Sequence, residues 1–436
     1  MKKLFAVSLL AGSVSLMAHS SPVPHDGSMK GVDQAQPIDQ AVGMRVLKGY
    51  TPHVFADNVG RVRHLAAHKS GWLFASVVKS RRGTATHGLL ALKDTNGDGK
   101  ADEKRLYAEG QFGTGLAIDG NDLYFGTDQK ILKFTLDDQG MITGDAVTLV
   151  DGFTINNQHD AKSLTVDGKG GLYVNFGVPS NACMEKMRTK GSPGQRPCTI
   201  LDNYGGVWKF DAAKSGQTQE DGIRYSTGHR NAVALEWNRQ ADDLYLVNHG
   251  RDQLFSFFPD LYTQEASAEL PAEEFHRVKK GDNLGWPYSY YDQRVGARMV
   301  MPEYGGDGKT KAKEGKKPLI GFPGHWAPND LLFPSDASGL PMGALIAFHG
   351  SWNRGRAQRG YRVVFVPLDK KGNVSGQWIT FADGFANPVA DGEAVNQVAS
   401  PRQAKHRPMG LAEGPKGSLY IASLMSGGRI WQIKHD

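Results

Sequence analysis

Six stretches of the chain share one form, a polar turn running into a short apolar strand: SGWLFAS, NDLYFGT, GGLYVNF, DDLYLVN, GALIAFH and GSLYIAS. Their reference leucines are Leu73, Leu123, Leu172, Leu244, Leu345 and Leu419. Each is preceded, usually by seven to nine residues, by a strand near another leucine: Leu65, Leu116, Leu164, Leu235, Leu332 and Leu411. The fifth unit stretches this interval to thirteen. Strands such as HGLLALKD, KILKFTL, GGVWKFD, EEFHRVK, YRVVFVP and GRIWQIK follow, and fourth strands read KRLYAEG, AVTLVDG, GIRYSTG, PLIGFPG and QWITFADG. Short apolar runs bounded by Gly, Asn and Asp are strand signals. Four strands repeated six times predict an all-β chain, a six-bladed β-propeller in which stacked blades bury each other's apolar faces. The sixth unit ends at IWQIKHD without an outer strand. HVFADN near the N-terminus has the missing pattern, so an N-terminal strand is expected to close the last blade. A pair of β-sandwiches, the alternative, does not predict six matching units.

With strands A to D counted from inside outward, adjacent strands are antiparallel. The D-to-A and B-to-C loops therefore leave on one rim, and the A-to-B and C-to-D turns on the other. The second rim carries turn chemistry, as in DGND, DGKG, DDQG and DKKGN. The first differs. Five positions before the A-strand leucine stand Gln111, His159, Arg230 and His406, with Asn231 and Arg407 one residue further on. B-to-C loops on this rim carry NHGRD (248–252) and HGSWNR (349–354), and HWAPND brings His325. Polar side chains at equivalent places in several blades are expected to converge on the central axis, where a propeller builds its site.

Composition adds a compartment. MKKLFAVSLLAGSVSLMAHSS has two lysines, an apolar run and then small residues. That is the pattern of a secretory signal peptide rather than a membrane span. Residues 1–20 are read as that leader, 21–42 as a flexible extension and 43–436 as the propeller. A periplasmic or secreted protein with no integral membrane segment is expected. The net charge of +6 is spread along the chain without a long basic block, which argues against nucleic acid and suits a small anionic ligand. The two cysteines, Cys183 and Cys198, read in an oxidising compartment as a structural disulfide closing one loop, not as a reactive or metal-bound pair. No C-x-x-C-H stands in the chain, so no covalently attached haem is expected.

The order of QHDAKSLTVDGKGGLYV, VPSNAC…PC, GHRNAVALEW, NHGRD, GDNLGWPY, HWAP, HGSWNR and HRPMGLAEGPKGSLY over roughly residues 50–434 resembles the sugar dehydrogenases that use pyrroloquinoline quinone (PQQ). The glucose/sorbosone branch, including L-sorbosone dehydrogenase-like proteins, is the nearest in pattern. The resemblance implies oxidation of a sugar or polyol carbon with hydride passing to the quinone, and an external electron acceptor, a cytochrome or a quinone. It implies that His159 is the general base, with Asp160 either orienting it or solvated. Arg230 would stabilise charge growing on the quinone oxygen. Asn231 and Gln111 would hold cofactor and substrate. Arg407, flanked by Lys405 and His406 where the family often shows two arginines, would meet the cofactor's carboxylates. A lysine usual in glucose-oxidising members has no counterpart in HGSWNR, and Arg354 is the candidate to replace its charge. The cofactor calcium would take main-chain oxygens of Gly250 and Arg251 with Asp252 supporting. Arg251 stands where related proteins have proline. Trp286, Trp326 and Trp352 either stack on cofactor or sugar or pack in the core.

A separate stretch, DTNGDGKADEK, spaces Asp94, Asn96, Asp98 and Asp102 like the first part of an EF-hand loop, with the Lys100 carbonyl at the seventh position. Arg105 stands at position 12, so the loop is either a structural calcium site or an acidic turn, on the rim away from the axis. Two other functions share the architecture. One is a calcium-dependent lactonase, which would hold its metal through central acidic and amide side chains; the other is a non-catalytic binding module.

Overall fold

The computed structural model describes residues 41–78, 87–425 and 427–436. The expected leader and all but the last two residues of the extension lie outside the described residues. Six antiparallel sheets follow one another in chain order. The first has strands Arg61–Ala67, Leu73–Val78, Gly88–Lys93 and Glu103–Tyr107. The second has Gly113–Asp119, Asp122–Thr127, Ile131–Leu136 and Ile142–Val150; the third Leu164–Val166, Gly171–Phe176, Gly206–Asp211 and Ile223–Thr227. The fourth has Ala234–Asn238, Asp243–Asn248, Glu273–Val278 and Ile320–Phe322; the fifth Pro328–Leu332, Gly343–His349, Tyr361–Pro367 and Ile379–Asp383. The sixth joins Pro408–Glu413, Leu419–Ser423 and Ile430–His435 to Tyr50–Ala56, which supplies its outer strand. This is the six-bladed propeller expected from the repeat, closed by the N-terminal segment.

Burial explains why the second strands were the clearest repeat. Strand B of each blade is sandwiched between neighbouring sheets, so both of its faces are apolar and the alternation of a half-exposed strand is lost. Asp243–Asn248 is buried at every position, whereas the outer strand Glu103–Tyr107 has none buried. Polar side chains stitch one blade to the next. The Ser76 hydroxyl donates to Thr114 O (2.8 Å), the Trp237 amide to Thr165 Oγ1 (3.1 Å) and the Leu411 amide to Asp330 Oδ2 (2.7 Å).

Three features depart from the plain repeat. Arg45–Val46 adds a fifth strand to blade five, pairing with Ala382 and Asp383, before the chain crosses to blade six. Asp282–Asn283 runs parallel to the outer strand of blade three. The insertion between strands C and D of blade four also forms the hairpin Ser289–Asp292 and Ala297–Val300. GDNLGWPY belongs to this insertion, and Trp286 packs with Val178, Cys183 and Cys198. The two cysteines form the expected disulfide, with Cα atoms 6.2 Å apart. Two short α-helices, Leu254–Phe257 and Gln264–Glu269, lie in the fourth B-to-C loop. Among the described residues no helix is long and apolar enough to cross a membrane.

Trp431 spans the closure of the ring. Trp431 is fully buried, packs edge-on against Phe385 at 5.4 Å and His406 at 5.0 Å, and donates its indole N–H to Val42 O at 2.7 Å. It therefore holds the N-terminal segment as well as blade six. Trp431→Ala is expected to lower unfolding free energy by about 3–5 kcal/mol, read from the denaturant midpoint; a loss below about 1 kcal/mol would show that closure does not depend on it.

Candidate functional site

A cavity of about 680 Å³ opens at the axis on the rim formed by the D-to-A and B-to-C loops. Its wall includes His159, Arg230, Asn231, Gly250, Asp252 and His325, from blades three, four and five. Loops far apart in sequence meet here because the ring points every such loop at the same axis.

His159 sits at φ 53°, a left-handed conformation that a residue other than glycine holds only under tertiary constraint. The constraint is its ring. Nδ1 lies 2.6 Å from Val178 O, and a carbonyl only accepts, so Nδ1 carries the proton and Nε2 keeps a lone pair. Burial, then the positive charge of Arg230, pushes the imidazole down to about 3, so it is neutral near pH 7. Gly177 makes room for this arrangement: a Cβ there would stand 2.6 Å from both His159 Cβ and Asn231 Oδ1. Asp160 does not orient the ring. One of its carboxylate oxygens accepts from the Asn156 amide at 2.8 Å, and the Val178 carbonyl does the orienting instead.

Asp252 is the hub of the blade-four side of the wall. Its carboxylate pairs with Arg230 Nη2 at 2.9 Å, accepts from Asn353 Nδ2 at 2.8 Å, and lies 3.5 Å from Arg188 and 3.8 Å from His325 Nδ1. Its amide and carbonyl are clamped by the Asn181 side chain at 2.9 and 3.0 Å, and Asn181 O accepts from the Trp286 indole at 3.1 Å. Burial alone would raise the Asp252 carboxyl, but Arg230, His325, Asn353 and Arg188 hold it well below the usual range. Arg230 also donates to Gly250 O at 3.2 Å, while its Nε is buried without a partner. Glu273, buried beside them, accepts from the amides of Gly250 (3.0 Å) and Ala327 (3.3 Å); burial pushes it up to about 8 against those bonds.

Several expected residues stand elsewhere. Arg251 is buried and turned away, pairing with Glu303 at 2.5 Å, so only its backbone is available to the cavity side. Arg354 does not line the cavity: it bonds to Glu269, to Ala268 O at 3.0 Å and to Ala357 O at 2.8 Å, so its charge is spent locally. Arg407 is also absent from the wall, lying over the Tyr361 ring at 5.5 Å and donating to Pro401 O at 3.1 Å. Lys405 is exposed, and His406 packs on Trp431. Gln111 does not reach the wall either; blade two contributes Thr114 and Asp128. Trp286 and Trp326 are core residues, whereas Trp352 is 66 % exposed and lines the mouth.

Residues not foreseen include Arg63, Asp128, Arg188, His249, His349 and Glu273, all on the cavity wall. The rim rule itself pointed to Asp128, which follows strand B of blade two, and to Arg188 in the disulfide loop. Arg63 precedes Leu65 by two, inside the strand Arg61–Ala67 rather than in a rim loop, and has no such signal.

The loop at 94–102 is turned on itself. Asp94 accepts from the amides of Gly97 (2.7 Å) and Gly99 (2.8 Å), Asn96 from Asp98 (2.9 Å), Asp98 from Lys100 (2.8 Å) and Asp102 from Thr95 (3.0 Å). Among the described residues no group of three or more His, Cys, Asp or Glu side chains is placed to hold a metal. A calcium ion at the axis would therefore need backbone oxygens such as Gly250 O.

The TrAA12-like family model matches residues 44–436. No curated protein matches the chain. Among solved structures, the calcium structure of the carbohydrate-active enzyme of family AA12 from Trichoderma reesei is similar with a TM-score of 0.70 at 18% identity, over 90% of this chain and 96% of that one. The holo PQQ domain of pyranose dehydrogenase from Coprinopsis cinerea gives 0.70 at 18%, over 90% and 97%. The soluble aldose sugar dehydrogenase of Escherichia coli gives 0.53 at 16%, over 89% and 100%. At these identities the likeness concerns the fold.

Buried titratable groups set the pH dependence of stability. Burial holds His64, His159 and His229 down to about 3 and His249 and His406 to about 4. The unfolded chain binds more protons at these sites below pH 6.5, so their contribution is complete above 6.5 and lost as pH falls toward 3. Glu236 and Glu273, raised by burial to about 8, and Asp330, raised in the same direction, act oppositely. Their contribution is complete below the ordinary carboxyl values and lost as pH rises through the folded ones. The five histidines outweigh the three carboxyls between about pH 4.5 and 6.5. Stability is expected to peak near pH 6.5 and fall on both sides; urea midpoints from pH 4 to 9 that stay flat below 6.5 would contradict this.

Proposed function

This chain belongs to the TrAA12-like family, and we propose that it is a PQQ-dependent sugar dehydrogenase working in the axial cavity. The observation that carries the reading is the geometry of His159: a neutral imidazole with one nitrogen locked to Val178 O and the other free, in a cavity whose wall also holds Arg230. The solved structures of similar fold support it, being a family AA12 enzyme in calcium form, a PQQ domain in holo form and an aldose sugar dehydrogenase.

The residues present fit the implied groups. Arg230 and Arg188 offer guanidinium groups to a tricarboxylate, and the orphaned Arg230 Nε is a buried donor with nothing to meet. Gly250 O, Asp252 and Glu273 are hard oxygen donors of the kind calcium prefers. Bound there, the quinone supplies a two-electron hydride acceptor and calcium a Lewis acid. The protein's part is the proton: the substrate hydroxyl donates to His159 Nε2 as its carbon gives up hydride, leaving an imidazolium that the charge of Asp252 stabilises. Arg230 balances negative charge as it develops. Turnover needs an external electron acceptor, a cytochrome or a quinone. Substrates are aldoses, sorbosone or related polyols. Export to the periplasm or medium is part of the proposal, supported by the leader pattern and the Cys183–Cys198 disulfide.

The test is reconstitution of purified protein with PQQ and calcium, followed by dye reduction with a sugar panel. His159→Ala is expected to keep quinone affinity within about threefold and to lower dye reduction by about 10²–10⁴; unchanged turnover would remove His159 from the role. Gly177→Ala should act on the same step by displacing the imidazole, with a loss of about tenfold or more in turnover by protein that is still folded at the assay temperature. Full activity in that variant would show that the His159 position is not tightly set.

A further inference from the structure

We infer that the Arg63–Asp128 side of the cavity is its sugar-recognising end, where Asp128 reads a substrate hydroxyl and selects neutral polyhydroxylated substrates over acidic ones. The inference rests on the sugar-dehydrogenase reading above and deepens it.

The cavity has two polar ends in different states. At one, Arg230 and Asp252 are joined at 2.9 Å and Asp252 is further bonded to Asn353. That end is cross-linked within the protein, with Arg230 Nε left over as a buried donor. At the other, Arg63 and Asp128 both line the wall, and among the described residues no hydrogen bond or ion pair joins them or engages either side chain. Arg63 Nε is buried with no partner. The two feel each other's charge: burial lowers Arg63 to about 10 while Asp128 pulls it up. Burial, against Lys162 and Arg63 and with Asp160, raises the Asp128 carboxyl.

Unsatisfied groups on a cavity wall are the ones a ligand completes, because leaving them unmade costs free energy and the protein offers no alternative. A hydroxyl is a neutral group that accepts from a guanidinium and donates to a carboxylate at once. A sugar presents such hydroxyls on adjacent carbons. A carboxylate ligand would satisfy Arg63 but face both Asp128 and Asp160, each on the wall. The anionic cofactor is thereby directed to the Arg230 and Arg188 end, and the neutral substrate to the Asp128 end, with His159 on the wall beside Asp160.

Asp128→Asn keeps the shape and removes the charge. In the enzyme loaded with PQQ and calcium, it is expected to raise KM for aldoses at least tenfold, with the loss falling on KM more than on kcat. The ratio of kcat/KM for a uronic acid to that for the matching aldose should rise at least tenfold. If wild-type protein oxidises aldoses and Asp128→Asn changes neither KM nor this ratio, the inference is overturned and the dehydrogenase reading stands. If the wild type oxidises no sugar, that reading fails, and a binding measurement decides the inference alone. 1,5-Anhydroglucitol, a polyol without an anomeric hydroxyl, should raise the melting temperature of the wild type and not of Asp128→Asn; equal shifts would overturn it.

Discussion

Everything at the axis depends on the ring being closed. A propeller blade has two apolar faces and needs a neighbour on each, so a row of six sheets with free ends would leave two faces in water. The chain resolves this by giving its outer strand of blade six from the N-terminus: Val54 pairs with Trp431 and Pro52 with Ile433. Arg45–Val46 extends blade five on the way, tied by Arg45 Nε to Asp383 at 2.6 Å. The two ends of the chain thus share one core with Phe381, Phe385 and Leu411. With the circle complete, six A strands stand around an axis and every other connection is forced onto one rim.

That geometry converts distant sequence into a rigid site. Asp252 is held by Asn181 from the disulfide loop, by Arg230 from the next D-to-A loop and by Asn353 from blade five. Behind Asn181 stands Trp286, packed on the disulfide. A carboxylate buried at the axis is costly to keep charged, and these partners make its charged form the stable one. The same network fixes Arg230, so the cationic wall near His159 is set by contacts that come from three blades and an insertion.

The repeat was readable in sequence because strand B of every blade lies between two sheets and keeps a nearly unbroken apolar run; Leu73, Leu123 and Leu244 mark it and are buried at 1 % or less. His159 and Arg230 were readable for a related reason, standing at a fixed offset from an A-strand leucine. The same offset failed at Gln111 and His406. The blade-six D-to-A segment is long, with short helical turns at Gly392–Asn396 and Pro401–Gln403, and it delivers His406 onto Trp431 instead of the axis. Arg354 and Arg407 illustrate a second limit. Their charge suggested a ligand, yet charge alone does not distinguish a guanidinium facing a cavity from one already used by backbone carbonyls. Arg63 was silent for another reason: it stands inside the strand Arg61–Ala67 rather than in a rim loop, where the offset from the leucine does not reach.

The cavity as a whole is neither acidic nor basic but divided. Its cations are tethered on one side and loose on the other, and its carboxylates follow the same division: Asp252 is fully engaged, Asp128 is not. A tethered pair gives shape and a fixed field, whereas an untethered pair gives an empty set of hydrogen bonds. On the reading proposed above, a site that retains an anionic redox cofactor and exchanges sugar at every turnover needs both. Engaged groups lose little freedom when the cofactor seats, and loose ones exchange water for hydroxyls at small cost. His159 belongs to neither set, since its one bond to Val178 fixes the ring and leaves Nε2 unused, the state a proton acceptor between the two ends requires.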